Sequence, residues 1–192
     1  MSKKTLIAAL GVAAGLGVAA MPAAGVFADP ATDDSTEEIK VIINEALEIN
    51  CVTETTAGAS EVTMASGQSN SDLSTKCTVV TNAAKGFTLS VKDVDSELAL
   101  TNSGTRPQDR IEAVANAATT EGWSLTNTDG TGAGVVTSPF AIKATDQIIH
   151  YQADPTDDQG KSVTVNYTFN TLADQAAGTY TDEIVYTATA NV

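Results

Sequence analysis

The strongest constraint on the fold is a run near the end of the chain in which apolar and polar residues alternate. Val163, Val165, Tyr167 and Phe169 take every second position, and only Thr and Asn stand between them. A period of two is typical of a β-strand with one buried face and one solvated face. Residues 180–189 alternate in a similar way. We therefore predict two long strands that form a hairpin, whose apolar face needs a second sheet to cover it.

Shorter patterns upstream predict further strands at a spacing of about ten residues. Residues 76–82, 87–92 and 122–125 are rich in β-branched, Leu or aromatic residues, and turns that contain Gly or Asn lie between them. Residues 106–120 fit a short helix that begins near a proline. Because strands dominate, the fold class that we predict is all-β, an antiparallel β-sandwich of the immunoglobulin-like kind.

The beginning of this domain allows two interpretations. Residues 39–51 fit a helical stripe, and they fit strand alternation equally well. The β-branched run at 39–43 favours the strand. Residues 53–75 consist largely of Thr, Ser, Gly and Ala with few apolar anchors, so we predict a loop insertion there. The expected organisation is a single β-sandwich domain over residues 39–192.

The first 28 residues have the features of a secretory signal peptide. Lys3 and Lys4 precede an uncharged run over residues 6–20, and small residues precede a cleavage point between Ala28 and Asp29. An uncleaved membrane anchor is the alternative, because the uncharged segment is long enough to span a bilayer. Residues 29–38 form an acidic leader that we expect to be flexible. Cleavage predicts an exported protein that is extracellular or held at the cell surface, with no membrane segment.

The charge of the chain restricts its partners. It carries 24 acidic and 10 basic residues, for a formal net charge of −14. Removal of the signal peptide takes away two lysines and no acids, so the mature chain carries −16. Binding to nucleic acid or to an anionic membrane requires clustered Lys and Arg, so this composition argues against both.

Two cysteines, Cys51 and Cys77, lie in the part of the chain that we expect to be exported. Disulfides form in exported proteins, and this pair would close a loop of 26 positions. Two free thiols are the first alternative. A metal pair is the second, but the sequence has no CxxC motif to support it. We predict the disulfide.

The chain has few residues suited to catalysis. Its one histidine, His150, lies in a strand-like run where we expect an exposed or edge side chain, and no G-x-S-x-G motif is present. We predict no catalytic residues, no bound metal, no cofactor and no enzymatic activity. Trp123 and Leu125 have two interpretations. A lone tryptophan in a β-sandwich is typically a core residue, and the alternative is a surface binding site.

Two groups of carboxylates offer an alternative as calcium ligands, because Ca²⁺ prefers oxygen ligands. Neither group matches an EF-hand loop, so we interpret both primarily as solvated acidic turns. The candidates are Asp93, Asp95, Glu97, Asp154, Asp157 and Asp158.

Several short motifs resemble those of a known family. The last strand, Ala177–Ala190, has the form G-T-Y-x-D-x-I/V-x-Y-T-A-T-A, and Gly86–Val91 and the Trp123-Ser124-Leu125 tripeptide add to it. These pieces resemble secreted surface domains of candidate-phylum bacteria, and they are similar to WxL domains of Gram-positive cell walls. The resemblance covers about residues 77–191. It implies an extracellular, non-enzymatic β-sandwich and, for true WxL proteins, non-covalent attachment to peptidoglycan.

One departure from the WxL pattern matters for function. A WxL domain carries a second Trp-x-Leu in its final strand, where this chain has Tyr186-Thr187-Ala188. The function that we expect is that of a secreted, non-catalytic, cell-wall-associated or cell-surface β-sandwich protein that acts in wall association, adhesion or a surface layer. Its partners would be peptidoglycan, another surface polymer or other surface proteins. The alternative is a pilin-like subunit that polymerises by strand complementation.

Overall fold

Ten strands and one short 3₁₀ turn make up the regular structure of the computed structural model, which describes residues 40–192. The predicted signal peptide at 1–28, its cleavage point and the leader at 29–38 lie outside the described residues. The strands are β1 (Leu47–Thr55), β2 (Ser69–Asn70), β3 (Leu73–Thr81), β4 (Phe87–Asp93), β5 (Ala99–Thr101), β6 (Arg110–Glu112), β7 (Gly122–Asn127), β8 (Gln147–Gln152), β9 (Lys161–Asn170) and β10 (Ile184–Ala190).

Two antiparallel sheets pack together, and this confirms the predicted all-β sandwich. The larger sheet has β9 at its centre. One side of β9 pairs with β3 and the short β2, and the other side pairs with β7; β1 adds to the far edge of β3. The smaller sheet has the order β10-β4-β8, and β5 pairs with β6 in a separate two-stranded ribbon.

The core lies between the inner faces of β9 and β4. The apolar residues of β9 that alternate in the sequence are all buried, which confirms the period-two interpretation of this strand. From the opposite sheet, Phe87, Leu89 and Val91 of β4 are fully buried against them. Burying one such side chain contributes about 1.5–3 kcal/mol, so these two strands supply much of the apolar stabilisation.

The predicted terminal hairpin is wrong, because β9 and β10 belong to different sheets. β10 pairs with β4 over its whole length, from Ile184 opposite Asp93 to Ala190 opposite Phe87. The connection over 171–183 carries the chain from one sheet across to the other. Two strands that each need a covering sheet thus lie in opposing layers rather than side by side.

The predicted helix over 106–120 is also wrong. Only Pro107–Asp109 forms a 3₁₀ turn, which the Asp109 carboxylate closes by accepting the Arg106 backbone N–H at 2.9 Å. The chain then extends directly into β6, where Ile111 is buried opposite Leu100 of β5. Burial of Ile111 in the core outweighs the helical spacing of the later residues.

The predicted boundaries at the start of the domain need correction as well. Residues 40–46 are not a strand, and β1 begins only at Leu47. The predicted insertion at 53–75 is shorter than expected, because β1 extends to Thr55 and β3 begins at Leu73. Threonine-rich ends of strands carry little apolar signal, and the loop interpretation therefore extended too far in both directions.

Candidate functional site

Strand β1 forms an open edge of the larger sheet. It pairs with β3 alone. The Asn82 N–H donates a hydrogen bond to the Ala46 carbonyl, and this bond shows which residue pairs of the antiparallel ladder are hydrogen-bonded. Because hydrogen-bonded pairs alternate along an antiparallel ladder, the backbone groups of even-numbered residues of β1 bond to β3. Those of odd-numbered residues point away from β3. Within the described part of the chain, the backbone N–H and C=O groups of Leu47, Ile49 and Cys51 form no backbone hydrogen bond on the open side of β1.

A disulfide fixes this edge strand to the sheet. Cys51 and Cys77 face each other across β1 and β3, and their sulfur atoms are bonded, which confirms the predicted pairing. Cys77 is buried in the core, whereas Cys51 is exposed on the edge strand. The bridge therefore ties an exposed strand to a buried one.

The segment that leads into β1 exposes an unusual amount of apolar surface. Val41, Ile42 and Ile43 are 74–81% exposed, and Ile49 and Val52 within β1 are partly exposed as well. An edge strand with free backbone groups and exposed β-branched side chains is a ready template for pairing with another chain. Apolar surface that is concentrated in this way marks an interaction site more often than isolated apolar residues do.

A groove separates β1 from β10, which is the open edge of the smaller sheet. Its volume is about 380 Å³. The groove is lined by Ile49, Cys51, Thr53, Thr75, Tyr167, Ile184, Val185 and Tyr186. The apolar walls come from the inward-facing residues of both edge strands, and hydroxyl groups provide its polar floor.

Four hydroxyl groups form a hydrogen-bonded chain across this floor. The oxygen of Thr53 lies 2.7 Å from that of Thr75, which lies 2.7 Å from the Tyr167 hydroxyl, and this lies 2.9 Å from the Tyr186 hydroxyl. Burial raises the pKa of Tyr167, and burial together with the neighbouring Tyr167 raises the pKa of Tyr186 well above its usual value. Both phenols therefore stay protonated. The four hydroxyls carry four protons and share three hydrogen bonds, so one O–H has no acceptor within the chain.

Trp123 and Leu125 are buried in the core, which corrects the alternative of a surface binding site. They are 2% and 0% exposed, and the Trp123 ring stacks on Tyr167 with ring centroids 6.5 Å apart. They belong to β7 and pack against the central strand β9. The core interpretation of the lone tryptophan agrees with this position.

His150 is also buried, which corrects the expectation of an exposed or edge side chain. It is 2% exposed, packs beside the Phe87 ring and accepts the Thr131 N–H at Nδ1 over 3.4 Å. Burial, together with the charge of Lys161, lowers the pKa of His150. The ring is therefore neutral at pH 7 and lies away from the groove.

The six calcium candidates do not converge on one site. Asp95 and Asp157 each accept a backbone N–H two residues ahead, as in acidic turns, and Glu97 pairs with Arg110. Asp154, Asp157 and Asp158 are exposed, and Asp93 is buried at the end of β4. Across residues 40–192, no group of three or more His, Cys, Asp or Glu side chains is arranged to hold a metal ion.

The fold and the groove together define an all-β sandwich with one open, disulfide-tethered edge. Comparisons of the chain with protein-family models, with curated proteins and with solved structures found no match. A search of the described residues found no helix of the length and apolar character needed to cross a membrane. The amino-acid sequence does not predict the hydroxyl chain, because its members come from four strands and nothing in their local patterns connects them.

Proposed function

We propose that the protein is an exported, non-catalytic β-sandwich of the bacterial cell surface, which acts by binding in wall association, adhesion or a surface layer. The observation that carries the proposal is the open edge of β1 beside a groove with apolar walls and a hydroxyl floor. Backbone groups on the edge and a free hydroxyl proton in the groove offer hydrogen bonds to an extended polymer. The signal peptide expected from the sequence and the disulfide of Cys51 and Cys77 support export.

The non-catalytic part of the proposal has support of its own. The single histidine is buried against Phe87 and does not reach the groove. The groove residues are apolar side chains, hydroxyls and a bridged cysteine, a set that favours contact over acid–base chemistry.

Fractionation of cells and a pull-down on purified cell walls test this function. We expect the protein in the wall or extracellular fraction, and we expect it to sediment with walls. Ile49→Lys, which places a charge in the groove, should reduce that binding, whereas Val94→Lys at an exposed position outside the groove should not. Location entirely in the cytosol, or equal wall binding by both variants, would contradict the proposal.

A second candidate function, a pilin-like subunit that polymerises by strand complementation, is favoured by a separate observation. Ile42 and Ile43 are highly exposed and precede the open edge strand. The hydrogen bonds that follow them hold residues 44 and 46 to Thr81 and Asn82. A β-branched segment of this kind can add to the open edge of another copy. Light scattering of the wild type should then show oligomers that the Ile42→Lys, Ile43→Lys double variant lacks and that Val94→Lys retains. A monomeric wild type would rule this candidate out.

A further inference from the structure

The two sheets of the sandwich differ in width, and the smaller sheet does not cover β1. Cross-strand partners lie on the same face of a sheet, so Ile49 of β1 faces inward like its β3 partner Val79. Val79 is completely buried, whereas Ile49 is 36% exposed. Leu47 and its partner Thr81 show the same contrast. The cover of the core therefore ends between β3 and β1.

The open edge of β10 is the place where a covering strand would pair. The Glu183 carbonyl accepts the Val94 N–H at 3.0 Å, directly beside the first residue pair of the ladder between β10 and β4. Since hydrogen-bonded pairs alternate along an antiparallel ladder, the backbone groups of odd-numbered residues of β10 bond to β4, and those of even-numbered residues point away from it. Among the described residues, no backbone group forms a hydrogen bond on this open side with Ile184, Tyr186 or Ala188.

A strand added to β10 would lie above the inner face of β1. Neighbouring strands are about 4.8 Å apart and packed sheets about 10 Å apart, so a fourth strand of the smaller sheet would cover the groove. The groove has a volume of about 380 Å³, and Ile49 and Ile184 contribute to its apolar walls. An apolar cavity of about 150 Å³ holds one benzene molecule, so the groove has room for about two aliphatic side chains. A strand with two inward-facing apolar side chains therefore fits this position.

The chain itself contains a segment with these properties. Residues 40–44, which we call the donor segment, have the sequence Lys-Val-Ile-Ile-Asn. The donor segment forms no strand in its own chain, and Val41, Ile42 and Ile43 are 74–81% exposed. β-Branched residues favour strands, and residues two positions apart in a strand lie on one face. In a strand, Val41 and Ile43 would therefore share one face, and Ile42 would lie on the other.

The charges beside the groove favour the donor segment over most of the chain. β1 contains Glu48 and Glu54, and neither β1 nor β10 contains a basic residue. Asp182 and Glu183 directly precede β10. The whole chain carries a net charge of −14, so its copies repel one another. Lys40 is the only charged residue of the donor segment, so this segment is attracted to the acidic edge strands.

We propose that the donor segment of a second copy of this chain pairs with the open edge of β10 and becomes the fourth strand of the smaller sheet. Its Val41 and Ile43 side chains enter the groove and cover Ile49, and its Ile42 side chain stays at the surface. A strand added to the far edge of β1 would instead widen the larger sheet and leave Ile49 uncovered. The inference rests on the second candidate function, and it names β10 as the edge that receives the strand.

Two single variants separate strand addition from unspecific association of apolar residues. Light scattering of the concentrated mature chain should show oligomers. Ile43→Lys should abolish them, because it places a charge in the apolar groove. Ile42→Lys is the matched control and should retain the oligomers, because this residue faces outward in the added strand. Any other pattern, such as equal loss in both variants, would overturn the proposal.

Hydrogen exchange of the wild type identifies the edge that receives the strand, and it decides the matter even where a variant fails to fold. The backbone amides of Ile184, Tyr186 and Ala188 should exchange more slowly in the oligomer than in the dilute monomer, whereas those of Ile49 and Cys51 should change little. Slower exchange in β1 alone would overturn the inference but leave the second candidate function in place. A wild type that is monomeric at every concentration would overturn both. Slower exchange in β10 only after addition of purified walls would assign the groove to a wall polymer and overturn the second copy.

Discussion

Removal of the disulfide, in a Cys51→Ser, Cys77→Ala double variant, tests what holds β1 in its sheet. The bridge closes a loop with a sequence separation of 26, and the chain-entropy model assigns such a loop about 3.5 kcal/mol of stabilisation. All but the last residue of β1 is exposed, so burial of its side chains replaces little of this loss. We expect the free energy of unfolding to fall by about 3–4 kcal/mol.

Urea denaturation measures this loss, and amide hydrogen exchange locates it. The backbone N–H groups of Asn50 and Val52 stand at hydrogen-bonded positions of the ladder with β3. Their hydrogens should exchange much faster in the double variant than in the wild type. Thr53→Val is the matched control. It removes the hydroxyl contact to Thr75 but leaves the loop closed, and should cost about 1 kcal/mol.

The reasoning is refuted by one particular result. If the double variant loses less than about 1 kcal/mol and the β1 amides keep their protection, ladder bonds to β3 alone hold the edge strand. The disulfide would then be a passive link between strands that pair stably without it. If the free energy of unfolding falls but the β1 amides keep their protection below the unfolding midpoint, the disulfide acts by restricting the unfolded chain. It would then not be needed to prevent local fraying of β1.

Three further predictions concern the core, a turn and the buried histidine. Leu125→Ala should lower the free energy of unfolding by about 2–5 kcal/mol, whereas Val80→Ala on the exposed face should change it by less than about 0.5 kcal/mol in the same urea titration. Gly86→Ala should cost more than about 1 kcal/mol by thermal melting, because its φ is +69° and an added Cβ would collide with a backbone carbonyl. The lowered pKa of His150 means that its contribution to stability is complete above pH 6.5 and is lost as the pH falls toward the folded pKa. The stability difference between wild type and His150→Gln, measured from pH 7.5 to pH 5, should shrink accordingly, and a constant difference would contradict the assignment.

Alternation was sufficient to predict the central strand and its inward face. Val163 and Val165 are buried as the period of two requires, and the turn before Phe87 lies where glycine predicts it. Local patterns failed where a second segment of the chain decided the outcome. The spacing over residues 106–120 is helical, yet Ile111 is buried in a strand that pairs with β5.

The candidate sites show the same limit. Cysteine count and expected export predicted the pairing of Cys51 with Cys77, because two cysteines allow only one intramolecular bridge. The sequence groups Asp93 with Asp95 and Glu97 as candidate calcium ligands, but Asp93 instead lies near Asp182, which is far away in sequence. No window of the sequence contains both residues.

The sequence by itself determined that the chain forms strands, which face of β9 is buried and that a disulfide can form, because these properties depend on local periodicity and on residue type. Only the tertiary structure decided that β9 and β10 lie in opposite sheets, that β1 remains an open edge, and that hydroxyls from four strands meet in one groove. The physical reason is that strand pairing joins residues far apart in the chain, and the partner of each strand is selected by burial of the whole core rather than by the strand's own sequence.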